Sequence, residues 1–214
     1  MTELILIRHA QSLANANEVF IGQTDLGLSE MGKKQAEALC LYLQNIKLKV
    51  DKIYSSSLSR PYQTIDPYAK AVGKEIIKRD GLREIYAGKW ENNKFADLPG
   101  LFPETFAHYW KEDIANCTPD GGESVAALYE RVNLELDTLA RENDGKRIII
   151  STHATPIRCF CARAVGGLSN MQQIKWVNNA SVNIFNWENG ILSAVSINNH
   201  DFLVGIDSSL PKTV

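Results

Sequence analysis

No stretch of the chain approaches the roughly 20 consecutive apolar residues that a helix needs to cross a bilayer, so no membrane span is expected. Cysteine is scarce. Cys40, Cys117, Cys159 and Cys161 are too few and too scattered for a disulfide framework, and the last two lie in an apolar run, as buried filler does. Positive charge is not in excess: 23 Lys and Arg stand against 25 Asp and Glu, a formal net charge of −2. That argues against the broad basic stripe of a nucleic-acid or membrane-surface binder. An anionic ligand must then be held by a local cluster of arginines. The opening residues 1–7 carry no basic leader and no small-residue cleavage site before Arg8-His9, so no signal peptide is expected and the expected compartment is the cytoplasm. Internal repeats and low-complexity segments are also missing.

What is present is an alternation of strand and helix signals over 214 residues, a length that fits one domain with an insertion. Residues 4–7 are a short continuous apolar run, as in a strand buried on both faces. Ser29 can cap a helix whose apolar residues Ala36, Leu39, Cys40, Leu43 and Ile46 recur at helical spacing. Residues 52–55 read as a second strand. Pro61 suits the first turn of the helix that follows, and Pro67 is expected to kink or end it early. Between about residues 85 and 122 no period holds. Tyr86, Trp90, Phe95, Phe102, Phe106, Tyr109 and Trp110 fall there, and the segment reads as an inserted, partly helical lid whose aromatics are mostly its core.

Beyond it, Val125, Leu128, Val132, Leu136 and Leu139 mark a strong helix ending near Gly145. Residues 147–152 are the clearest buried strand, and Thr155-Pro156 opens another helix. Two last strands flank Asn189-Gly190, a type I′ hairpin signal. The pattern predicts an α/β fold: a three-layer sandwich with a mostly parallel central sheet flanked by helices, plus the lid.

Two of the four histidines, His9 and His153, stand immediately after buried strands, at the strand ends where open α/β sheets bind ligands. Arg8 is beside the first, and Arg60 follows the second strand. Singly, each is an ordinary surface or core residue. Together they would form a compact basic pocket, and the planar fork of Arg matches a phosphate. A metal site is the competing reading for paired histidines, but no carboxylate or cysteine cluster at ligand spacing accompanies either one. No metal and no other cofactor is therefore expected.

The segment Arg8-His9-Ala10-Gln11-Ser12-Leu13-Ala14-Asn15 resembles the opening motif of the histidine phosphatase superfamily, the clan of phosphoglycerate mutases and related phosphatases. Further segments follow in family order: Gly22-Gln23-Thr24-Asp25, Tyr54-Ser55-Ser56-Ser57-Leu58-Ser59-Arg60, Leu82-Arg83-Glu84 with Gly88-Lys89-Trp90-Glu91, Gly122-Glu123-Ser124, Ser151-Thr152-His153 with Ile157-Arg158, and Asn179-Ala180-Ser181-Val182. The similarity spans roughly residues 3–186. Departures are Ala10, Asn92 and Ala154 where the family has glycine, and Pro61 where a small alanine is common.

The resemblance implies a metal-independent phosphomonoesterase. His9 would attack phosphorus as a neutral imidazole. Arg8, Arg60 and His153, protonated or in a donor tautomer, would surround the phosphoryl oxygens, and Glu84 would be the general acid. Asn15, Gly22, Gln23 and Ala154 would add phosphate or substrate contacts, with the backbone N–H groups of residues 10 and 154 as donors. The implied partner is a small phosphorylated metabolite of the sugar phosphate, phosphoglycerate or α-ribazole phosphate type, bound by a monomer or homodimer. The alternative is a phosphoglycerate mutase, and a further one a catalytically idle binding protein on the same fold. Ile21-Gly22-Gln23, where mutases tend to carry hydroxyl donors, favours the phosphatase.

Overall fold

The structure, a computed structural model, describes residues 1–109, 113–206 and 208. In chain order, β1 (Thr2–Arg8) leads to a short helix α1 (Leu13–Ala16) and to α2 (Glu30–Asn45). Then come β2 (Lys52–Ser56), α3 (Ser59–Ala71) and β3 (Ile76–Arg79). The lid contributes α4 (Leu98–Leu101) and α5 (Pro103–Ala107). Next are α6 (Val125–Glu142), β4 (Arg147–Thr152), α7 (Ala154–Ala164), β5 (Val182–Glu188) and β6 (Ile191–Asn199).

The strands form one sheet in the order β3-β2-β4-β1-β5-β6. The first four are mutually parallel; β5 pairs antiparallel with β1, and β6 pairs antiparallel with β5. Alternation along the strands sorts the core into two layers. Leu4, Leu6, Tyr54, Ile148 and Ile150 pack with α6, α7 and the lid residues Trp90, Leu98 and Tyr109. Ile5, Ile7, Ile53 and Ile149 face the other way, onto Leu39 and Leu43 of α2 and Ile65 and Tyr68 of α3. The arrangement is the expected helix–sheet–helix sandwich.

Local signals hold where their chemistry is strong. Ser29 accepts the N–H of Gly32 and starts α2, and Ser124 does the same for α6 through Ala127. Asn189 and Gly190 both have positive φ, 49° and 85°, as a type I′ turn requires. Asn92, in place of the family glycine, also has positive φ, 69°, a conformation asparagine tolerates better than most residues.

Two expectations need correction, and one strand gave no sequence signal. The helix α3 neither ends nor breaks at Pro67 but runs four residues further to Ala71, held by buried Ile65, Tyr68 and Ala69; packing outweighs one lost backbone hydrogen bond. Ile46 is half exposed at the C-cap of α2 instead of joining its apolar face. The strand β3 was not foreseen, because only four residues pair at the sheet edge and its side chains are only partly buried.

Candidate active site

The parallel neighbours β2, β4 and β1 end side by side, so the residues after them converge. Arg8 is the last residue of β1 and lies in register with Thr152, the last of β4. His9 and His153 each follow by one, and their rings meet edge to face with centroids 5.2 Å apart. Arg60 enters from the first turn of α3, just beyond β2. Glu84 comes from the loop after β3. Arg8, His9, Arg60, Glu84 and His153 are each at most 8% exposed, an arrangement that charged groups adopt only with compensation. Arg8, His9, Asn15, Arg60, Glu84 and Ala154 line a cleft of about 650 Å³, its open mouth included. His153 stands behind that lining, beneath His9.

His9 donates its Nδ1–H to the carbonyl of Ala10 at 2.7 Å. A carbonyl only accepts, so the proton sits on Nδ1 and the lone pair on Nε2. Burial, reinforced by the charges of Arg60 and Arg8, holds the imidazole pKa well below its usual range. His9 is therefore neutral and nucleophilic at physiological pH. Burial also pushes each arginine down to about 10, with Glu84 opposing it; both keep their charge at neutral pH. Arg8 donates Nη1 to the Val177 carbonyl. Arg60 donates Nη2 to Gly22 O at 2.8 Å and Nη1 to Thr24 O at 3.2 Å.

His153 is likewise held neutral, by burial first and then by Arg60 and His9, so the donor-tautomer alternative applies and the protonated one does not. Its Nε2 lies 2.9 Å from Ser56 Oγ. That oxygen also receives the Leu58 N–H at 3.4 Å, and the buried Ser56 hydroxyl has no other acceptor among the described residues, so its proton points at Nε2 and the imidazole proton sits on Nδ1. The Nδ1 of His153 and the Nε of both Arg8 and Arg60 are buried with no hydrogen-bond partner among the described residues. An unmade buried donor costs about 1–3 kcal/mol. Donors left open on Arg8, Arg60 and His153, the neighbours whose charge or ring bears on His9, suit an oxyanion.

Glu84 accepts the Ile85 N–H at 2.8 Å and, through its other oxygen, the Thr155 N–H at 3.3 Å in the first turn of α7. Burial raises its pKa above the usual carboxylate value, with those N–H groups and Arg60 pulling the other way. The raised value suits a proton donor. Its loop is tied down by residues to which the sequence assigned no role. Thr152 Oγ1 donates to Leu82 O at 2.7 Å. Arg131 on α6 donates to the carbonyls of Gly81, Arg83 and Glu84 while pairing with both oxygens of Glu123. Glu123 stood in a recognised segment without a role, and Arg131, eight residues on, has no local signature at all.

Gly22 and Gln23 do not line the cleft. A Cβ at Gly22 would lie 2.1 Å from the Ile85 carbonyl, so glycine is needed there for close approach of two loops. Gln23 gives its N–H to Glu91 and its side-chain amide to Glu84 O. Through these contacts the two residues brace Arg60 and Glu84. The N–H of Ala10 is also spent, on Thr64 Oγ1 at 2.8 Å, and the Ala10 methyl packs on Leu28, Ala36 and Ala180 without crowding the cleft.

Asn15 does line it. Its Oδ1 accepts from Ser12 N and from Asn179 Nδ2, and its amide nitrogen has no partner among the described residues. Of the lid aromatics, Phe95 and Tyr109 line the cleft, Trp90 and Phe106 are core, Phe102 packs against that core and Tyr86 is exposed; Trp110 lies outside the described residues. Among those residues, no three His, Cys, Asp or Glu stand together as metal ligands, and no helix is long and apolar enough to cross a membrane.

The chain is similar to known proteins. Phosphoserine phosphatase 1 of Hydrogenobacter thermophilus is 35% identical over 88% of each chain. A 2,3-bisphosphoglycerate-dependent phosphoglycerate mutase of Parvibaculum lavamentivorans is 31% identical over 72% of this chain and 76% of its own. A solved structure of phosphoserine phosphatase from Entamoeba histolytica, in complex with phosphoserine, superposes with a TM-score of 0.81 at 26% identity, covering 95% of this chain and 100% of that one. The profile of the histidine phosphatase superfamily (branch 1) matches residues 4–200. The chain belongs to that superfamily.

Proposed function

We propose that this chain is a phosphomonoesterase that works through a phosphohistidine on His9, with no metal ion, on a small phosphorylated metabolite. The observation that carries the reading is a neutral His9 packed against His153 in a cleft with Arg8, Arg60 and Glu84, where Arg8, Arg60 and His153 each keep an unpartnered buried nitrogen and the Glu84 carboxyl has a raised pKa.

In the first step His9 Nε2 attacks phosphorus and the bond from phosphorus to the ester oxygen breaks. Glu84 gives its proton to that oxygen, so the leaving group departs as an alcohol. Arg8, Arg60 and His153 Nδ1–H donate to the phosphoryl oxygens, supplying fixed positive charge and dipoles in a dry site. In the second step the Glu84 carboxylate takes a proton from water, the oxygen attacks phosphorus, and the P–N bond breaks. Phosphate leaves, and both His9 and Glu84 return to their starting states. Cationic side chains do here what a metal does in other phosphoryl transferases.

A mutase would keep water from the phosphohistidine while its substrate turned over in the pocket. Ile21 in the cleft lining offers no side-chain donor to a substrate carboxylate, which favours hydrolysis. We further read the chain as one domain with a lid insertion, acting in the cytoplasm. The test is phosphate release from a panel holding phosphoserine, sugar phosphates, 3-phosphoglycerate and α-ribazole phosphate, with His9→Ala as the blank. Hydrolysis above the blank is expected. Isomerisation of 3-phosphoglycerate, primed with 2,3-bisphosphoglycerate, that outruns every hydrolysis would make the enzyme a mutase instead.

A further inference from the structure

Residues 80–86 carry Glu84 into the cleft with a short 3₁₀ turn, Asp80–Leu82, as their regular structure. Their carbonyls therefore need partners from elsewhere. Four successive ones receive side chains. Leu82 O takes the Thr152 hydroxyl at 2.7 Å. Gly81 O and Arg83 O take the Nη1 of Arg131 at 3.0 and 3.1 Å, and Glu84 O takes its Nη2 at 3.2 Å. The rest of the guanidinium is spent on Glu123, with Nε 2.9 Å from Oε1 and Nη2 2.8 Å from Oε2. A guanidinium has five N–H bonds in one plane, and all five are used.

Glu123 in turn holds the far end of the segment. Its backbone N–H donates to Tyr86 O at 2.7 Å, and its Oε2 accepts the Tyr86 N–H at 3.3 Å. At the near end, a Cβ on Gly81 would stand 2.4 Å from the Glu135 carboxylate, so the segment lies directly on α6. The carbonyls of Arg83 and Glu84 belong to the two peptide planes on either side of the Glu84 Cα. Peptide planes are rigid, so holding both fixes the backbone dihedrals from which the carboxyl projects. The charge of Arg131 is paired with Glu123, so what it gives Glu84 is place rather than charge. Place matters: a general acid must sit within hydrogen-bond reach of the leaving oxygen, and a shift of about 1 Å can cost on the order of 10²-fold.

We propose that Arg131, clasped by Glu123, is a positioning residue for the proton transfer from Glu84 to the leaving group. The proposal rests on the phosphatase reading and adds a residue to it. A brace that only stabilised the fold would slow every ester alike. A residue that aims the acid slows those esters whose leaving group needs the proton.

The test compares Arg131→Met, which keeps an apolar stem and loses all five donors, with the wild type on an alkyl phosphate and on p-nitrophenyl phosphate. The readout is kcat/KM, which covers the steps up to the phosphohistidine. The alkyl ester should lose at least about tenfold and the nitrophenyl ester less than about threefold. In a Glu84→Gln background the same change should cost the alkyl ester less than about twofold more, because a residue acting through the acid then has nothing left to aim. Arg131→Lys keeps the charge beside Glu123 but has three donors for five acceptors; it should show the same split, and it carries the test if the methionine variant does not fold. Equal losses on both esters, no loss on either, or a fully additive loss in the double variant overturns the proposal. A wild type no faster than His9→Ala on both esters sinks the phosphatase reading and the clasp with it, whereas an active wild type with equal losses sinks the clasp alone.

Discussion

At the phosphate end of the cleft the groups that face phosphorus stand on strand ends or on the first turn of the helix behind them, whereas the opposite wall hangs from residues 18–21, tied to residues 92–95 of the lid by backbone hydrogen bonds. The first region is polar, dry and over-determined. Arg60 is held by two carbonyls, His9 by one, Glu84 by two N–H groups, and the loop behind Glu84 by Arg131. The second is lined, among the described residues, mainly by apolar and aromatic side chains, and much of its order comes from rings packing on rings. The difference separates the parts of the reaction. The rigid end holds the chemistry common to every phosphomonoester, and the loop-built wall meets whatever differs between substrates.

The comparison can be broken from the phosphate end. Glu84→Gln should slow hydrolysis of alkyl phosphates by about 10²–10⁴-fold, and that of p-nitrophenyl phosphate far less, since nitrophenolate leaves without a proton. Equal losses would remove Glu84 from the acid role. The pH profile carries the same signature. Glu84 must be protonated, so the rate falls as pH rises through its raised pKa. His9 must be neutral, so the rate also falls as pH drops through its depressed pKa, well below the ordinary histidine range. Glu84→Gln should erase the alkaline limb and leave the acidic one.

Arg60→Ala should lower kcat by roughly 10²–10³-fold, the loss typical of one transition-state donor. Arg60→Lys should not restore it, because a single ammonium cannot hold Gly22 O and Thr24 O and still present a planar fork. Near wild-type kinetics for the lysine variant would show that only charge matters. Ser56→Ala is milder. Loss of one hydrogen bond that fixes the His153 proton should cost about five- to tenfold in kcat/KM, and Ser56→Thr should recover most of it. A Ser56→Ala enzyme with unchanged kcat/KM would break the tautomer assignment. The smallest expected effect is that of EDTA, which should leave the rate unchanged; loss on chelation, restored by a divalent ion, would contradict the cationic scheme.

The sequence made one half of the cleft far more readable than the other. Arg8-His9 and His153 follow runs so apolar that only buried strands accommodate them, and adjacency of parallel strand ends does the rest. Glu84 was legible only through family resemblance, since nothing local distinguishes it from an ordinary surface glutamate beside Arg83. Gly22 and Gln23 were read as ligand contacts because they sit in a motif. Their part in holding Arg60 and Glu84 depends on a loop some 60 residues away, which spacing does not encode. The same holds for Arg131, whose three carbonyl partners come from residues 81–84. The aromatic wall was visible as composition, but which rings face the cleft is decided by packing: Phe95 lines it, while Trp90 is fully buried in the core.

The central claim is that His9 carries the phosphoryl group. Rapid quenching of the wild-type enzyme with a phosphorus-labelled monoester, followed by peptide mapping, tests it most directly. The account predicts an acid-labile, base-stable label on the peptide containing His9, forming faster than or as fast as turnover and absent in His9→Ala. Label on a serine or aspartate peptide, or His9→Ala turning over near the wild-type rate, would contradict it.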